Sequence, residues 1–374
     1  MVWVSADLAW PPRAGGELRS LRLLSGLREH ADLSVALLNP GADPAPLGQA
    51  LGVPHLTSLR RWPSALAKRG TAVQHRWPLS TAAVYDRRIA DWVRAAAGPD
   101  GIVVAEHLQA APYLRGAPYG VLNLQNADAA LHRAAPWPTH PVRRLEHGWD
   151  RLTTGPLERR TVSSAHLVVC VSEQDRAALR CPTAVVVPNG ADLPAAVTPV
   201  PRGGAIMFVG SLNYPPNAEG VRWWLREIWP LLPADLPLLT VVGRAARAVL
   251  GSPAGAQVVS DVPEVAPYVE QASVVVLPLL AGGGSRLKLL EAMALGRPVV
   301  STTKGAEGFP VRHGHELLLA DSPGALADAV TRVYRDPVLA QRLASAGRTF
   351  AEDYAWEALG ARFAAVVLGQ KYAL

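Results

Sequence analysis

Residues 282–291 read GGGSRLKLLE: three glycines, a serine, two cations one residue apart and a carboxylate. Leu287, Leu290 and Met293 or Ala294 recur at helical spacing, which predicts a helix starting near Ser285, with Ser285 as its N-cap. Gly296 and Pro298 supply its stop. The start of a helix carries unpaired N–H groups and the positive end of the dipole, so it favours anions. Arg286 and Lys288 in that position make sense if something strongly negative binds between them. Glycines let a ligand approach the backbone and offer N–H groups to it. The N–H groups of Gly283, Gly284 and Ser285, the dipole and the two cations together suit a diphosphate. Glu291, one turn further in, can accept two hydrogen bonds from a vicinal diol. The bland alternative is a flexible loop and an ordinary Lys288–Glu291 surface pair. The fixed order of loop, cations, carboxylate and the following strand GRPVVST favours the site.

Three other places carry groups able to act. PPRAGGELRS puts Gly15 and Gly16 just before an amphipathic helix, a second helix start that a phosphate could approach, although an ordinary turn explains the pair as well. Arg13 and Arg19 flank it, and solvation is the expectation for both. GIVVAEHLQ sets Glu106 and His107 at the end of a strand. LQNADAALHR sets Asn126 and Asp128 at the end of the next, where Asp128 serves equally as an N-cap.

Short β-branched runs alternate with helical patterns along the whole chain, from MVWVS and ELRSLRLLSGLREH onward. That is the signature of parallel sheets with crossover helices. Residues 191–204, ADLPAAVTPVPRGG, break the alternation and read as a linker. A second alternating set begins at AIMFVGS. The expected organisation is a Rossmann-like domain over 1–195 and a second over 203–352, with the last helix, about 353–374, free to pack back on the first. In such sheets ligands bind beyond the carboxyl ends of the strands, so two facing sheets place the site in the cleft between them.

A chain of 374 residues is long enough for two such cores. Its net charge of +6 is uneven, with 21 basic and 16 acidic residues through Asp192 and 16 and 15 after it. The excess gathers in residues 60–76, where Arg60, Arg61, Lys68, Arg69 and Arg76 meet no acid and Trp62 and Trp77 are interleaved. That segment suits an anionic acceptor or a membrane surface, or is a solvated face. No nucleic-acid-binding motif accompanies it. Cys170 and Cys181 form neither a metal-ligand nor a disulfide pattern. A basic leader and a run of ~20 apolar residues are both missing, so a soluble, cytoplasmic protein is expected, with peripheral membrane contact through 60–76 left open.

PLLAGGGSRLKLLEAMALGRPVVSTTKGAEGF resembles the nucleotide-binding signature of the retaining GT-B glycosyltransferases of family 4, also called group 1, in the subgroup with a Gly-Gly-Gly-Ser-Arg-Leu-Lys loop. FVGSLNYPPNAEGVRWWLREIWPLL is similar to the start of that subgroup's second domain, and VVCVSEQDRAAL and VVVPNGAD to the last strands of the first. The resemblance implies an α/β GT-B fold, two Rossmann-like doubly wound domains facing across a cleft. It implies transfer of a sugar from a UDP- or GDP-linked donor to an acceptor hydroxyl, with retention of configuration and neither cofactor nor metal. Glu291 matches the second acid of the family's Glu-x7-Glu motif, which grips the ribose. The first acid falls at Gly283, and the cation pair usual after the first strand of the second domain is missing at Gly210 and Ser211. Arg286 and Lys288 therefore take the diphosphate, with Gly210, Ser211, Gly283, Gly284 and Ser285 lining the donor. Asp261 and Val262 match a main-chain contact to the base, Gly15 and Gly16 a close approach to the phosphates, and His107 a histidine beside the donor sugar. Glu106 is then an alternative acceptor-side base and Asn126 an acceptor contact.

The acceptor is open among a glycan, a lipid-linked glycan and a small metabolite. A GT-B epimerase and a non-catalytic nucleotide-sugar-binding scaffold subunit are the rival readings.

Overall fold

The computed structural model describes residues 1–6, 8–12, 15–39, 44–53, 55–59, 61–282 and 286–372. The chain divides into two compact units: unit 1 is Met1–Pro188 with Glu357–Leu374, and unit 2 is Asn189–Trp356. Among the described residues unit 1 holds a seven-stranded sheet of β1 (Val2–Ser5), β2 (Ser34–Leu37), β3 (His55–Ser58), β4 (Ile102–Glu106), β5 (Tyr119–Asn123), β6 (Leu167–Cys170) and β7 (Val185–Val186), in the order 3-2-1-4-5-6-7. Unit 2 holds a six-stranded sheet of β8 (Ala205–Val209), β9 (Leu239–Gly243), β10 (Ala256–Ser260), β11 (Ala272–Leu277), β12 (Val299–Ser301) and β13 (Leu318–Leu319), in the order 10-9-8-11-12-13. Every pairing is parallel.

The apolar runs explain the sheets. IVVAE, LVVC and ASVVVL are buried at every position, as parallel strands covered on both faces must be. In each sheet the order reverses once, between β1 and β4 in unit 1 and between β8 and β11 in unit 2. Connections leave such a point toward opposite faces, and the crevice this opens at the carboxyl edge is where doubly wound sheets take ligands.

Residues 191–204 are not a free linker; they belong to unit 2. Arg297 is fully buried, and its guanidinium donates to the carbonyls of Thr198, Pro199 (3.2 Å) and Glu270 (3.1 Å). Arg348 donates to the Pro194 carbonyl at 2.8 Å. A buried guanidinium is costly unless its N–H groups are bonded, and this stretch supplies acceptors. The division therefore falls at Pro188 rather than after residue 195.

The helix Trp356–Tyr372 packs on unit 1. Phe363, Ala364 and Val367 join the core around Trp3, Leu23, Leu24 and Leu27, and Phe363 meets Trp3 edge to face at 5.9 Å. A Cβ on Gly26 would lie 2.6 Å from the Gly360 carbonyl carbon, so the helices Gly15–Arg28 and Trp356–Tyr372 touch backbone to backbone. Arg19 corrects the expectation of a solvated side chain. It is fully buried, its Nη1 and Nη2 donate to the Pro188 and Val187 carbonyls at 2.7 Å each, and burial pushes its guanidinium down to about 10.

Trp77 is likewise not a surface residue. It is buried, stacked on His75 at 4.3 Å and set edge to face with Tyr85, while Trp62 stays exposed. Arg13 and Arg60 lie outside the described residues. No described helix is long and apolar enough to cross a membrane.

Candidate functional site

The loop after β11 leads into the helix Leu287–Ala294. Gly283, Gly284 and Ser285 lie outside the described residues. Arg286, not Ser285, occupies the N-cap; its backbone is non-helical, and its own side chain makes no capping bond. Gly296 follows in the left-handed region, and the N–H groups of Gly296 and Arg297 close the helix on Met293 and Ala292 at 2.9 Å.

Lys288 is the centre of the unit 2 site. Its Nζ donates to Oδ1 of Asn217, which is buried in the first turn of the helix Pro215–Trp223, and lies 5.0 Å from the Phe208 ring centroid. The Asn217 amide in turn donates to the Ser211 carbonyl at 2.8 Å. A Cβ on Gly210 would come within 2.8 Å of Asn217 Nδ2 and 2.9 Å of Lys288 Nζ, so a side chain there would displace the amide and the amine. One on Gly243 would overlap the Gly210 carbonyl oxygen. The ends of β8 and β9 and the amine are thus packed together at the switch point of the sheet. Burial, helped by the Arg286 charge and opposed by Glu291, pushes the Lys288 ammonium down to about 7. Burial, with Asp192 adding to it and Lys288 opposing, raises the Glu291 carboxyl.

Arg286 is buried and turned the other way. Its guanidinium lies 3.4 Å from the Lys304 and Ala281 carbonyls and 3.7 Å from Glu307, which also pairs with Lys304 at 2.5 Å. A Cβ on Gly282, at φ 110, would come within 2.8 Å of its Nη1 and 3.0 Å of the Tyr214 hydroxyl. Among the described residues the two cations meet different groups, while the Arg286 charge still acts on Lys288. Asp261, after β10, has φ 57 and accepts from Ala245 N (3.0 Å) and Ser260 Oγ (2.6 Å); these bonds, Ser260 first, lower its carboxyl. Asp261 is exposed and Val262 half-buried, on the same carboxyl edge.

Unit 1 places its groups at its own switch point. Gly15 and Gly16 open the helix after β1, and His107 follows β4 directly. His107 has φ 64 and ψ 160, a region that is essentially glycine's, at a cost of about 1–3 kcal/mol. Its N–H donates to the Asn123 carbonyl at 2.9 Å. Such strain persists only where the surroundings enforce it, and it aims the imidazole away from the course a normal strand end would give it. Glu106 is not an open base. It is fully buried and accepts from Trp3 Nε1 (3.1 Å), Gln125 Nε2 (3.2 Å) and the Ser20 hydroxyl. Gln125 also donates to the Gly16 carbonyl at 3.1 Å. This network ties the helix start to the ends of β4 and β5 and makes Glu106 a positioning carboxylate. Asn126 is half-buried beside it. Asp128 opens the helix Asp128–Ala134 but is not its N-cap, a place held by Ala127.

Residues 203–336 match the family model described as Glycosyl transferases group 1. A protein of the cps region of Klebsiella pneumoniae is 30% identical over 129 residues, 31% of this chain and 33% of that protein. A phosphatidyl-myo-inositol mannosyltransferase of Mycobacterium leprae is 29% identical over 197 residues, 48% of this chain and 52% of that one. The chain thus matches a third and about half of the length of these two relatives. Among solved structures, Anabaena HepE in complex with UDP and glucose superposes with a TM-score of 0.70 at 17% identity, over 98% of both chains. Sucrose-phosphate synthase from Thermosynechococcus elongatus superposes with 0.68 at 17% identity, over 100% of this chain and 98% of that one.

The chain has the GT-B fold. Unit 1 is the first lobe of this GT-B chain, and the group 1 match falls inside the second. Asn217 and Gly243, which complete the Lys288 cluster, and Tyr214, which stands by Gly282 and Arg286, were not singled out from the sequence. The signal was present in YPPN, a polar residue in the first turn of a helix directly after β8.

Proposed function

We propose that the protein is a glycosyltransferase that moves a sugar from a nucleoside-diphosphate sugar to an acceptor hydroxyl, retaining the anomeric configuration and using no metal. The observation that carries the reading is the Lys288 amine, held on Asn217 against Gly210 where the strand order of unit 2 reverses. A cation at a Rossmann switch point, beside a glycine with no side chain to exclude a ligand, suits a diphosphate. The group 1 match over the same unit supports it. HepE, a structural neighbour crystallised with UDP, favours a UDP-linked donor, with GDP the alternative.

In this reading Lys288 and Arg286 neutralise the diphosphate, Glu291 accepts from the ribose hydroxyls, and the backbone at Asp261 and Val262 meets the base. Gly210, Ser211 and the Gly283–Ser285 loop line the donor, and Gly15 and Gly16 admit its phosphates. His107 contacts the donor sugar, and Asn126 the acceptor. The acceptor oxygen bonds to the anomeric carbon as the carbon–phosphate-oxygen bond breaks, and the hydroxyl proton passes to the departing diphosphate. Catalysis rests on positioning and on charge stabilisation of the leaving group. Retention is supported by the GGGSRLK subgroup signature, and the mannosyltransferase relative favours a glycolipid acceptor.

A thermal-shift screen of nucleoside diphosphates and their sugars tests donor binding; a ligand at a hundred times its Kd adds ~2.7 kcal/mol. Release of labelled sugar from the donor that binds, with the product anomer read by NMR, then tests transfer and its stereochemistry. No shift with any nucleotide would refute the reading.

A further inference from the structure

Unit 1 holds a cavity of about 800 Å³ that the chemistry above does not use. Ala117 and Gly120 at the start of β5, and Ala165 and His166 just before β6, line it. It therefore lies at the amino edge of the sheet, whereas His107 and Asn126 follow the carboxyl ends. A five-residue strand separates the two edges by about 16 Å. The volume falls within the roughly 300–1,000 Å³ typical of small-molecule sites.

The walls are aromatic and aliphatic, with Trp77, Trp149 and Leu157 among them. Trp149 Nε1 donates to the Trp77 main-chain carbonyl at 2.8 Å, which ties the Trp149 indole to the Trp77 backbone. Arg76, Arg115 and Arg160 stand around this floor, and Arg115 lies over the Trp77 ring at 5.4 Å. Among the described residues no Asp or Glu lines the cavity. Elsewhere on unit 1, surface arginines pair with acids, as Arg69 does with Glu146 and Arg94 with Asp91. Three guanidinium groups around one cavity without a carboxylate attract an anion, and their planar forks suit phosphate. The indole and leucine walls add a second requirement, an apolar portion next to that anion.

The mouth shows where such a ligand comes from. Leu152 lines the cavity and is 75% exposed, and Leu145, two turns earlier on the helix Pro141–Ser164, is 77% exposed. On the helix Ala65–His75, Leu66 is 83% and Val73 63% exposed. The Arg69–Glu146 ion pair, at 3.1 Å, joins the two helices, so both exposed stripes lie on neighbouring elements. Single exposed leucines need no explanation, but Leu152 stands at a cavity ringed by arginines, and basic and apolar groups together fit a lipid interface.

We propose that this cavity binds the phosphate head of an anionic phospholipid, with the phosphate on Arg76, Arg115 and Arg160 and the first acyl carbons against Trp77, Trp149 and Leu152. The exposed leucines then lie in the lipid interface. The site is separate from the donor and acceptor positions, and it stands whether or not the protein transfers sugars.

Calorimetric titration of the full chain with monomeric dihexanoyl phosphatidate tests it. Saturable binding is expected, weakened at least about tenfold by the double variant Arg115→Gln/Arg160→Gln through loss of two charge-assisted bonds. Both arginines are exposed, so melting temperature and nucleotide-induced shift stay unchanged in that variant. Inorganic phosphate binds far more weakly than phosphatidate; equal affinity would refute the lipid assignment in favour of a free-phosphate site. Vesicles of phosphatidylglycerol sediment with the protein and vesicles of phosphatidylcholine do not, and Leu145→Ser/Leu152→Ser reduces that sedimentation. Absence of phosphatidate binding, undiminished binding in the arginine variant, or displacement of the lipid by a nucleotide sugar would each overturn the proposal.

Discussion

Replacing Lys288 with methionine removes a half-buried amine whose ammonium form is held down to about 7, first by burial and then by the Arg286 charge. The pyrophosphate of a nucleotide sugar keeps the same charge between pH 6 and 8.5, so any pH dependence of donor binding there comes from the protein, and the part lost in Lys288→Met belongs to Lys288. With a pKa of about 7, roughly nine-tenths of the amine is charged at pH 6 and about 3% at pH 8.5. If the diphosphate takes the charged form, donor affinity falls about thirtyfold across that window, because binding must then draw a proton from solvent. The methionine variant binds weakly at both ends and shows no slope. Its turnover falls about a hundredfold, the ~3 kcal/mol expected for one lost donor to a developing anion. The assay is calorimetric titration with the best donor from the screen, at five pH values, on both proteins. A flat profile in the parent, or the same slope in Lys288→Met, would remove Lys288 from the diphosphate site.

The same shift has the opposite sign for the free fold. The unfolded amine titrates near its ordinary 10.5 and binds more protons than the folded one between pH 7 and 10.5, so this group makes the unliganded protein more stable as pH rises through that window; the dependence is absent from Lys288→Met in denaturant melts. Asn217→Ala leaves Lys288 and the Ser211 carbonyl without their partner, costing about 1–3 kcal/mol of stability, and a double-mutant cycle with Lys288→Met shows the two turnover losses are not additive. His107→Gly relieves about 1–3 kcal/mol of strain at φ 64 against about 0.5–1 kcal/mol of added chain entropy, so stability holds or rises while turnover falls; loss of both would make the histidine structural. Glu106→Gln turns an acceptor toward the Trp3, Ser20 and Gln125 donors into a donor of its own, so chemical melts show a loss of about 1–3 kcal/mol with little change in turnover per folded molecule.

The alternation of strand and helix was legible because the strands of each sheet come from one continuous stretch of chain, and apolar runs such as ASVVVL admit little but a buried parallel strand. The Lys288 neighbourhood was legible for the same reason: strand, glycines, cations and helix follow one another between Ala272 and Ala294. What escaped reading depends on partners far away in sequence. Arg19 reads as a surface cation until the Val187 and Pro188 carbonyls arrive, 168 and 169 residues on. Residues 191–204 read as a linker because nothing local reveals that Arg297, 98 residues past Pro199, requires their carbonyls. Asn217 lies 71 residues from the amine it holds. Ser285 has a capping residue's chemistry, yet the helix begins only after Arg286, a difference that side-chain preference alone does not resolve.

The segment that completes the core around Trp3, Leu23 and Leu27 is carried by Phe363, Ala364 and Val367, on the far side of all of unit 2. During synthesis the first sheet must wait, its Gly15–Arg28 helix half uncovered, while some 168 residues of the other unit emerge and can already collapse on their own. Nascent chains halted short of position 363 should accordingly expose an apolar face to chaperones, and maturation of the amino-terminal half becomes a late, long-range closure rather than a local one.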